Sequence, residues 1–298
     1  MPLLPSFPLR RPRLLIIGCG DVGQRVLRLL VPRWRVLALT SQPDRCAALR
    51  GLGAVPLVGN LDDASTLGRL AALADAVLHL APPPASGRVD TRTAALLRAL
   101  ARKGRVRALV YGSTTGVYGD AQGELFDETR PVRPATDRAQ RRVDAEDRIR
   151  WFGRALGVRV TVLRIPGIYA VDRPGGHPRE RLLRGAPVLA PQDDVYTNHI
   201  HADDLARACA VALWRGLPQR IVHASDDTEL KMGDYFDLAA DVCGLPRPPR
   251  VSRAEAAQQL SPMQQSFLSE SRRLSNERLK RELKLKLRYP TVREGLRP

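Results

Sequence analysis

No apolar run in this sequence reaches the roughly 18 to 20 residues that a membrane-spanning helix needs, because arginine, proline or glycine interrupts every candidate. The start, MPLLPSFPLRRPR, breaks its short apolar part with prolines and has no small-residue cleavage site, so it reads as a disordered arm over residues 1–11 and not as a secretory signal. Cysteine is scarce. Cys19, Cys46, Cys209 and Cys243 stand far apart with no C-x-x-C pair, which argues against a disulfide framework and a thiolate zinc site and favours a reducing cytoplasm, with no membrane partner. Lysine is scarce too: five (Lys103, Lys231, Lys280, Lys284, Lys286) among 48 basic residues. The formal charge of +17 raises the question of nucleic acid, but the arginines are spread along the chain and form no basic tract. Anionic small molecules are the expected beneficiaries of that field, and no specific nucleic-acid partner is expected. A G-x-S-x-G nucleophile elbow is absent and no Cys/His pairing stands out, which leaves hydrolytic catalysis without support. His199 and His201 with Asp203 have a spacing that suits a strand end followed by a helix cap at Asp203 or Asp204 better than a metal site, so no metal is expected.

What the sequence does have is alternation. RLLIIG (13–18), RVLALT (35–40), AVPLV (54–58), DAVLHLA (75–81), VRALVYG (106–112) and VRVTVLRI (158–165) are short apolar runs separated by amphipathic stretches, the pattern of a parallel sheet covered by helices on both faces. Asp21 opens one helix with Val22, Val26, Leu29 and Leu30 on its inner face, Asp63 opens another, and TRTAALLRALARKG ends on Gly104 with cations in its last turn. After residue 165 Pro- and Gly-rich loops alternate with helices near 202–214, 231–243 and 275–285. The fold class expected is α/β: a Rossmann-type doubly wound parallel sheet over residues 12–165, then a smaller C-terminal α/β substrate lobe over 166–298 that partly returns to the sheet.

In LLIIGCGDVGQRVLRLL, Gly18, Gly20 and Gly23 form G-x-G-x-x-G directly between a strand and a helix. A tight turn needs the first glycine, approach of a pyrophosphate to the backbone needs the second, and helix-to-strand packing needs the third. The phosphates then sit on the positive N-terminus of the helix that begins Asp21-Val22. The second strand ends at Thr40, about twenty residues beyond Gly20, where a site for NAD places an acid on the ribose 2′-hydroxyl. Here the chain reads TSQPDR, and Ser41 and Arg45 are suited to a 2′-phosphate. NADP is the expected cofactor, with NAD the alternative.

Further on, LVYGSTTGVYGD (109–120), LRIPGIYA (163–170) and NHIHADDLARA (198–208) follow in order. Together with the glycine turn they resemble the extended short-chain dehydrogenase/reductases, the NAD(P)-dependent epimerase/dehydratase superfamily, over nearly the whole chain; the tail RRLSNERLKRELKLKLRYPTVREGL resembles that of an atypical branch. The resemblance implies that Thr114, four residues before Tyr118, is the catalytic hydroxyl, with Ser113 beside it. It implies that Asn60 and Leu61 lie near the adenine, that Leu80, Ala81 and Pro82 pass under the cofactor, and that Pro166 and Ile168 flank the nicotinamide. Two departures stand out. The family's glycine motif has one more residue between its first two glycines, and its Tyr-x-x-x-Lys pair, anchored here on Ala145-Glu146, falls on Arg138 and Arg142.

Arginine stays charged at neutral pH, so Arg138 cannot be a general base, although it can clamp a carboxylate or phosphate. Arg142 can still bond the ribose. Tyr118, Tyr169, His177 and Tyr196 are candidate substitute proton donors. The function expected is an NAD(P)-dependent oxidoreductase or epimerase/dehydratase acting on a small polar, anionic substrate, a sugar nucleotide among the candidates. The alternative is a non-catalytic NADP(H)-binding sensor or scaffold. A homodimer is a further expectation, because family members pair through helices next to this site.

Overall fold

The structure is a computed structural model and describes residues 11–260, 265–266 and 268–297; residues 1–10 of the expected arm lie outside the described residues. In chain order its first half contains β1 (Arg13–Ile17), α1 (Asp21–Leu30), β2 (Arg35–Thr40), α2 (Arg45–Gly51), β3 (Val55–Val58), β4 (Ala76–His79), α3 (Thr91–Ala101), β5 (Ala108–Thr114), the short β6 (Leu125–Phe126), α4 (Asp137–Leu156) and β7 (Arg159–Ile165). The second half contains β8 (Gly167–Tyr169), α5 (Arg179–Leu183), β9 (Val188–Leu189), β10 (Tyr196–Thr197), β11 (His199–His201), α6 (Ala202–Arg215), β12 (Arg220–His223), β13 (Leu230–Lys231), α7 (Met232–Cys243), β14 (Arg250–Val251) and β15 (Arg273–Leu274).

Seven of these strands form one parallel sheet in the order β12-β7-β5-β4-β1-β2-β3. All six expected strands of the first half are in it, and β12 is the segment of the second half that returns to pair with β7. Both faces are covered, so successive residues of β1 enter different cores. Leu14 and Ile16 pack with Val26 and Leu27 of α1 and with Leu205, Cys209 and Leu213 of α6. Leu15 and Ile17 pack on the other side with Leu96 and Leu100 of α3 and with Ile149 and Phe152 of α4. Each fully buried side chain of this size contributes about 1.5 to 3 kcal/mol, which is why the strands read as unbroken apolar runs.

The helix ends explain several differences from the sequence reading. On α1 the buried positions other than Arg25 are Gly23, Val26, Leu27 and Leu30, spaced i, i+3, i+4, i+7, while Leu29 is 43% exposed: the inner face is rotated by about one residue from the one expected. Asp63 does cap a turn, accepting from Ser65 N, but the segment it opens (Ala64–Leu70) is a 3-10 helix. The cap of α6 is His201, whose ring nitrogen accepts from Asp203 N at 3.2 Å, rather than Asp203 or Asp204. Asp90 caps α3, which ends at Ala101 before reaching Gly104.

The later segments are tied on by short strand pairs (β8 with β11, β9 with β14, β10 with β13, β6 with β15) and by one buried carboxylate. Asp204 on α6 is fully buried and accepts from Arg288 N (3.0 and 2.9 Å), Tyr289 N (2.8 Å) and the Arg207 guanidinium (2.6 Å), fixing the tail across α6. Among the described residues no helix is long and apolar enough to cross a membrane. Asp204→Ala should lower unfolding stability by about 2 to 4 kcal/mol in urea titration, since it leaves two partly buried N–H groups and a guanidinium unpaired; a loss below about 0.5 kcal/mol would show that apolar contacts alone hold the tail.

Candidate active site at the C-terminal edge of the sheet

All seven strands point their C-terminal ends to one edge, and the order reverses between β4 and β1, which opens a crevice there. At its centre is the β1–α1 turn. Gly18 has a φ of +84°, and a Cβ on it would lie 2.4 Å from Ala81 N, so the turn fits against the end of β4 only with glycine. A Cβ on Gly20 would meet no protein atom within 4 Å, whereas one on Gly23 would press against Gly18 O at 3.0 Å. The second glycine thus faces open space beside the helix N-terminus, the cradle that a pyrophosphate requires, and the residues present fit a dinucleotide.

Around this turn the structure brings many of the sequence-derived residues together. Leu80 N donates to Ile17 O (2.7 Å), and a Cβ on Gly112 would touch the side chains of Leu80 (2.9 Å) and Ile165 (3.2 Å), so β1, β4, β5 and β7 share one rim. Pro82 is exposed just beyond Ala81, and Pro166 and Ile168 are half-buried just beyond Ile165. On the other flank, β2 ends at Thr40 and Ser41 is exposed. The Arg45 guanidinium, on the first residue of α2, donates to Cys19 O inside the glycine turn at 2.8 Å. Gly59 N bonds Thr40 O, which sets exposed Asn60 and half-buried Leu61 next to the end of β2. Asp62 beside them pairs with Arg92 (2.7 and 2.6 Å), which also donates to Pro82 O and Pro83 O.

α4 crosses this rim. Thr136 caps its start and it runs twenty residues. Arg142 Nη1 donates to Gly112 O (2.8 Å) and to the Tyr111 hydroxyl (3.0 Å), so this arginine lies against β5 two residues before Thr114. Arg138, one turn earlier, is exposed and has no partner among the described residues. Thr114 ends β5 with its hydroxyl accepting from Gly116 N at 3.3 Å. Ser113 is buried instead: its hydroxyl donates to Glu146 Oε1 at 2.5 Å. Two candidate donors are occupied elsewhere. The Tyr118 hydroxyl bonds His223 Nε2 (2.6 Å) and the Tyr169 hydroxyl bonds Thr291 O (3.3 Å), both in the interior. The rings of Tyr196 and His177 are half-buried, against Arg273 and the Arg179 amide respectively. His199 stacks on Tyr235 at 4.1 Å, and among the described residues no group of three or more His, Cys, Asp or Glu is placed to hold a metal ion.

Residues that the sequence reading passed over carry the support. Arg164 on β7 forms a buried bidentate pair with Glu146 (3.1 and 2.6 Å) and its guanidinium lies 4.6 Å from the Tyr118 ring centre. Burial disfavours the Arg164 cation, but the Glu146 carboxylate outweighs it and raises its pKa. Behind it, His223 Nδ1 bonds Ser275 O (2.9 Å), so Nε2 keeps the lone pair that accepts the Tyr118 O–H. Burial pushes the Tyr118 phenol up to about 12 and holds His223 down at about 3. The glycine turn has its own support in Arg25, 8% exposed within α1, which reaches Asp21, Asp172 and Asp203. One signal was available in the sequence: Arg25 stands three residues after Val22 and next to Val26, inside the stripe read as apolar.

Comparisons with known proteins bear on the family and the fold. A family model described as "NAD dependent epimerase/dehydratase family" matches residues 14–224. Protein YeeZ of Escherichia coli K12 is 30% identical over 210 residues, covering 66% of this chain and 72% of that protein. A functionally unknown conserved protein from Silicibacter pomeroyi is similar in structure, with a TM-score of 0.79 and 33% identity over 96% of each chain. The UDP-glucose 4-epimerase of Thermotoga maritima, solved with UDP-glucose, has a TM-score of 0.77 over 95% of this chain and 96% of its own; at 19% identity it shares the fold.

Two outcomes follow for stability. Glu146→Ala should cost about 3 to 5 kcal/mol by leaving a buried guanidinium unpaired, while the double change Glu146→Leu with Arg164→Met should cost less; urea titration of both variants decides, and equal losses would refute the pair as the cause. His79, His199 and His223 are each held near 3 by burial, against about 6.5 when unfolded. Between those values the unfolded chain binds more protons, so stability is full above about pH 6.5 and falls on acidification, by up to about 1.4 kcal/mol per pH unit for each histidine. Unfolding midpoints that do not change between pH 7 and pH 5 would contradict this.

Proposed function

We propose a function from the premise that this chain belongs to the NAD dependent epimerase/dehydratase family: it binds NADP(H) and uses it in an oxidoreductase, epimerase or dehydratase reaction on a small anionic substrate. The observation that carries the cofactor reading is the glycine turn, where Gly20 opens onto space free of protein at the N-terminus of α1. The preference for NADP(H) rests on the end of β2, which offers Thr40 and Ser41 in place of a carboxylate, and on Arg45, whose guanidinium is held at the same turn. When bound, a nicotinamide supplies hydride exchange at its C4.

The chain's own residues would then bind and orient. Thr114, at the end of β5, would hydrogen-bond the reacting oxygen. Arg142, braced on Gly112 O, places a fixed positive charge beside that strand end, where a ribose hydroxyl can share its remaining donors. Arg138 has no partner among the described residues and a free planar fork, so it would hold the carboxylate or phosphate of the substrate, of which a sugar nucleotide is one candidate class. Proton exchange falls to solvent water, since the hydroxyls of Tyr118 and Tyr169 are engaged in the interior. One observation favours a second reading, a dinucleotide sensor without chemistry: Arg142 spends two donor contacts on β5, and nothing on α4 replaces the family's tyrosine.

In calorimetric titrations NADP+ should bind more tightly than NAD+, and Arg45→Glu should remove most of that difference. Gly20→Val should weaken both, because its side chain would fill the space beside the helix N-terminus. Equal affinities in the parent would refute the NADP assignment, and a folded Gly20→Val variant that binds normally would refute the cofactor site. Arg138→Ala should weaken binding of an anionic substrate by about 1.5 to 3 kcal/mol with little effect on the cofactor; a panel of nucleotide sugars and sugar phosphates would test it, with unchanged affinity for every member that binds counting against the role.

A further inference from the structure

We propose that Arg173, on the loop after β8, is a ligand of the cofactor pyrophosphate that reaches the glycine turn from the second half of the chain; this rests on the reading of that turn as a dinucleotide site. Asp21 is the first residue of α1 and follows Gly20 directly, so its carboxylate stands where the phosphates must approach. On a bare helix N-terminus a carboxylate is favourable, but next to a doubly charged pyrophosphate it repels. Here it is covered by two guanidinium groups, Arg25 Nε at 3.2 Å and Arg173 Nη1 at 2.5 Å.

The two arginines differ in what they have left to give. Arg25 is buried and spends every nitrogen on protein: Nε on Asp21, Nη1 on Asp203 (2.6 Å) and Nη2 on Asp172 (2.6 Å). Its grip on Asp172, the neighbour of Arg173 in sequence, and on Asp203 at the start of α6 fixes the loop over the turn. Arg173 has a quarter of its side chain exposed and, among the described residues, uses its side chain for Asp21 alone. Among the described residues its remaining N–H donors are therefore free beside Asp21 at the start of α1. Arg45 approaches the same turn from the β2 flank through Cys19 O. A pyrophosphate on Gly20 would be flanked by cations from both sides, with Arg173 sharing its donors between Asp21 and a phosphate oxygen.

The test is a pair of variants whose effects have opposite signs. With NADP+ as the titrant, Arg173→Ala should weaken binding about tenfold or more, and Arg173→Lys should recover part of it by keeping the charge. Asp21→Asn should increase affinity, because it removes a competing carboxylate and releases Arg173. If Arg173 served only as an ion-pair partner that pins the loop, Asp21→Asn would weaken binding as much as Arg173→Ala, and that result overturns the proposal. So does an Arg173→Ala variant that melts and binds like the parent. Should Arg173→Ala not fold, Arg173→Lys and Asp21→Asn still give opposite predictions. Loss of binding in Gly20→Val with no change in Arg173→Ala would overturn this assignment alone, whereas a parent chain that binds neither NADP+ nor NAD+ would overturn the cofactor reading beneath it.

Discussion

Parallel strands impose one constraint on which everything else in this molecule depends: each strand must be followed by a crossover that returns to the same starting end. The carboxyl ends of β1, β4, β5 and β7 consequently lie side by side, and the loops that leave them must share one rim. That rim is crowded enough that Gly18 and Gly112 admit no Cβ without a shift. Crowding and opening are coupled here. Because Gly18 fits against Ala81, the turn bends sharply and leaves Gly20 facing space free of protein atoms.

Burying both faces of the sheet leaves little room for charge, yet this chain carries 48 basic residues. Two of those that enter the interior are answered by carboxylates, whereas buried Arg141 donates to Gly87 O. Arg164 is paired with Glu146, and Arg25 is surrounded by Asp21, Asp172 and Asp203. Burial alone would depress the Arg25 cation, but the carboxylates of Asp172, Asp203 and Asp21 reverse that and raise its pKa. Both clusters join segments distant in sequence: the first ties α4 to β5 and β7, the second ties α1 to the β8 loop and α6. Ion pairs of this kind add little net energy compared with apolar packing, but a mispaired one is costly, so they set the registration of helices against the sheet. The position of Arg142 against the end of β5 follows from the first. The position of Arg173 follows from the second.

The proposed replacement of the family's tyrosine and lysine by Arg138 and Arg142 would have a chemical consequence. A tyrosine and lysine one turn apart could exchange a proton near neutral pH; two arginines cannot, because neither titrates there. What α4 retains is electrostatic: one guanidinium held on the strand and one left free, on the same helical face. The proposed site would stabilise negative charge and orient, and would leave proton transfer to other groups.

The sequence by itself determined the sheet, because strands buried on both sides must be apolar throughout and the six runs were long enough to be recognised without context. It also determined the glycine turn, since three glycines between a strand and a helix have a local steric meaning, and it placed Arg138 and Arg142 one turn apart. Only the tertiary structure decided which way those side chains face. Nothing local distinguishes Arg142, bonded to Gly112 O, from Arg138, which is exposed, or shows that Ser113 turns inward to Glu146 while Thr114 ends the strand at the rim. The inner face of α1 was misplaced for the same reason: Arg25 is buried because Asp172 and Asp203 arrive from about 150 and 180 residues away. Periodicity records which residues avoid water; the partners that make a charge tolerable inside are fixed only when the chain has folded back on itself.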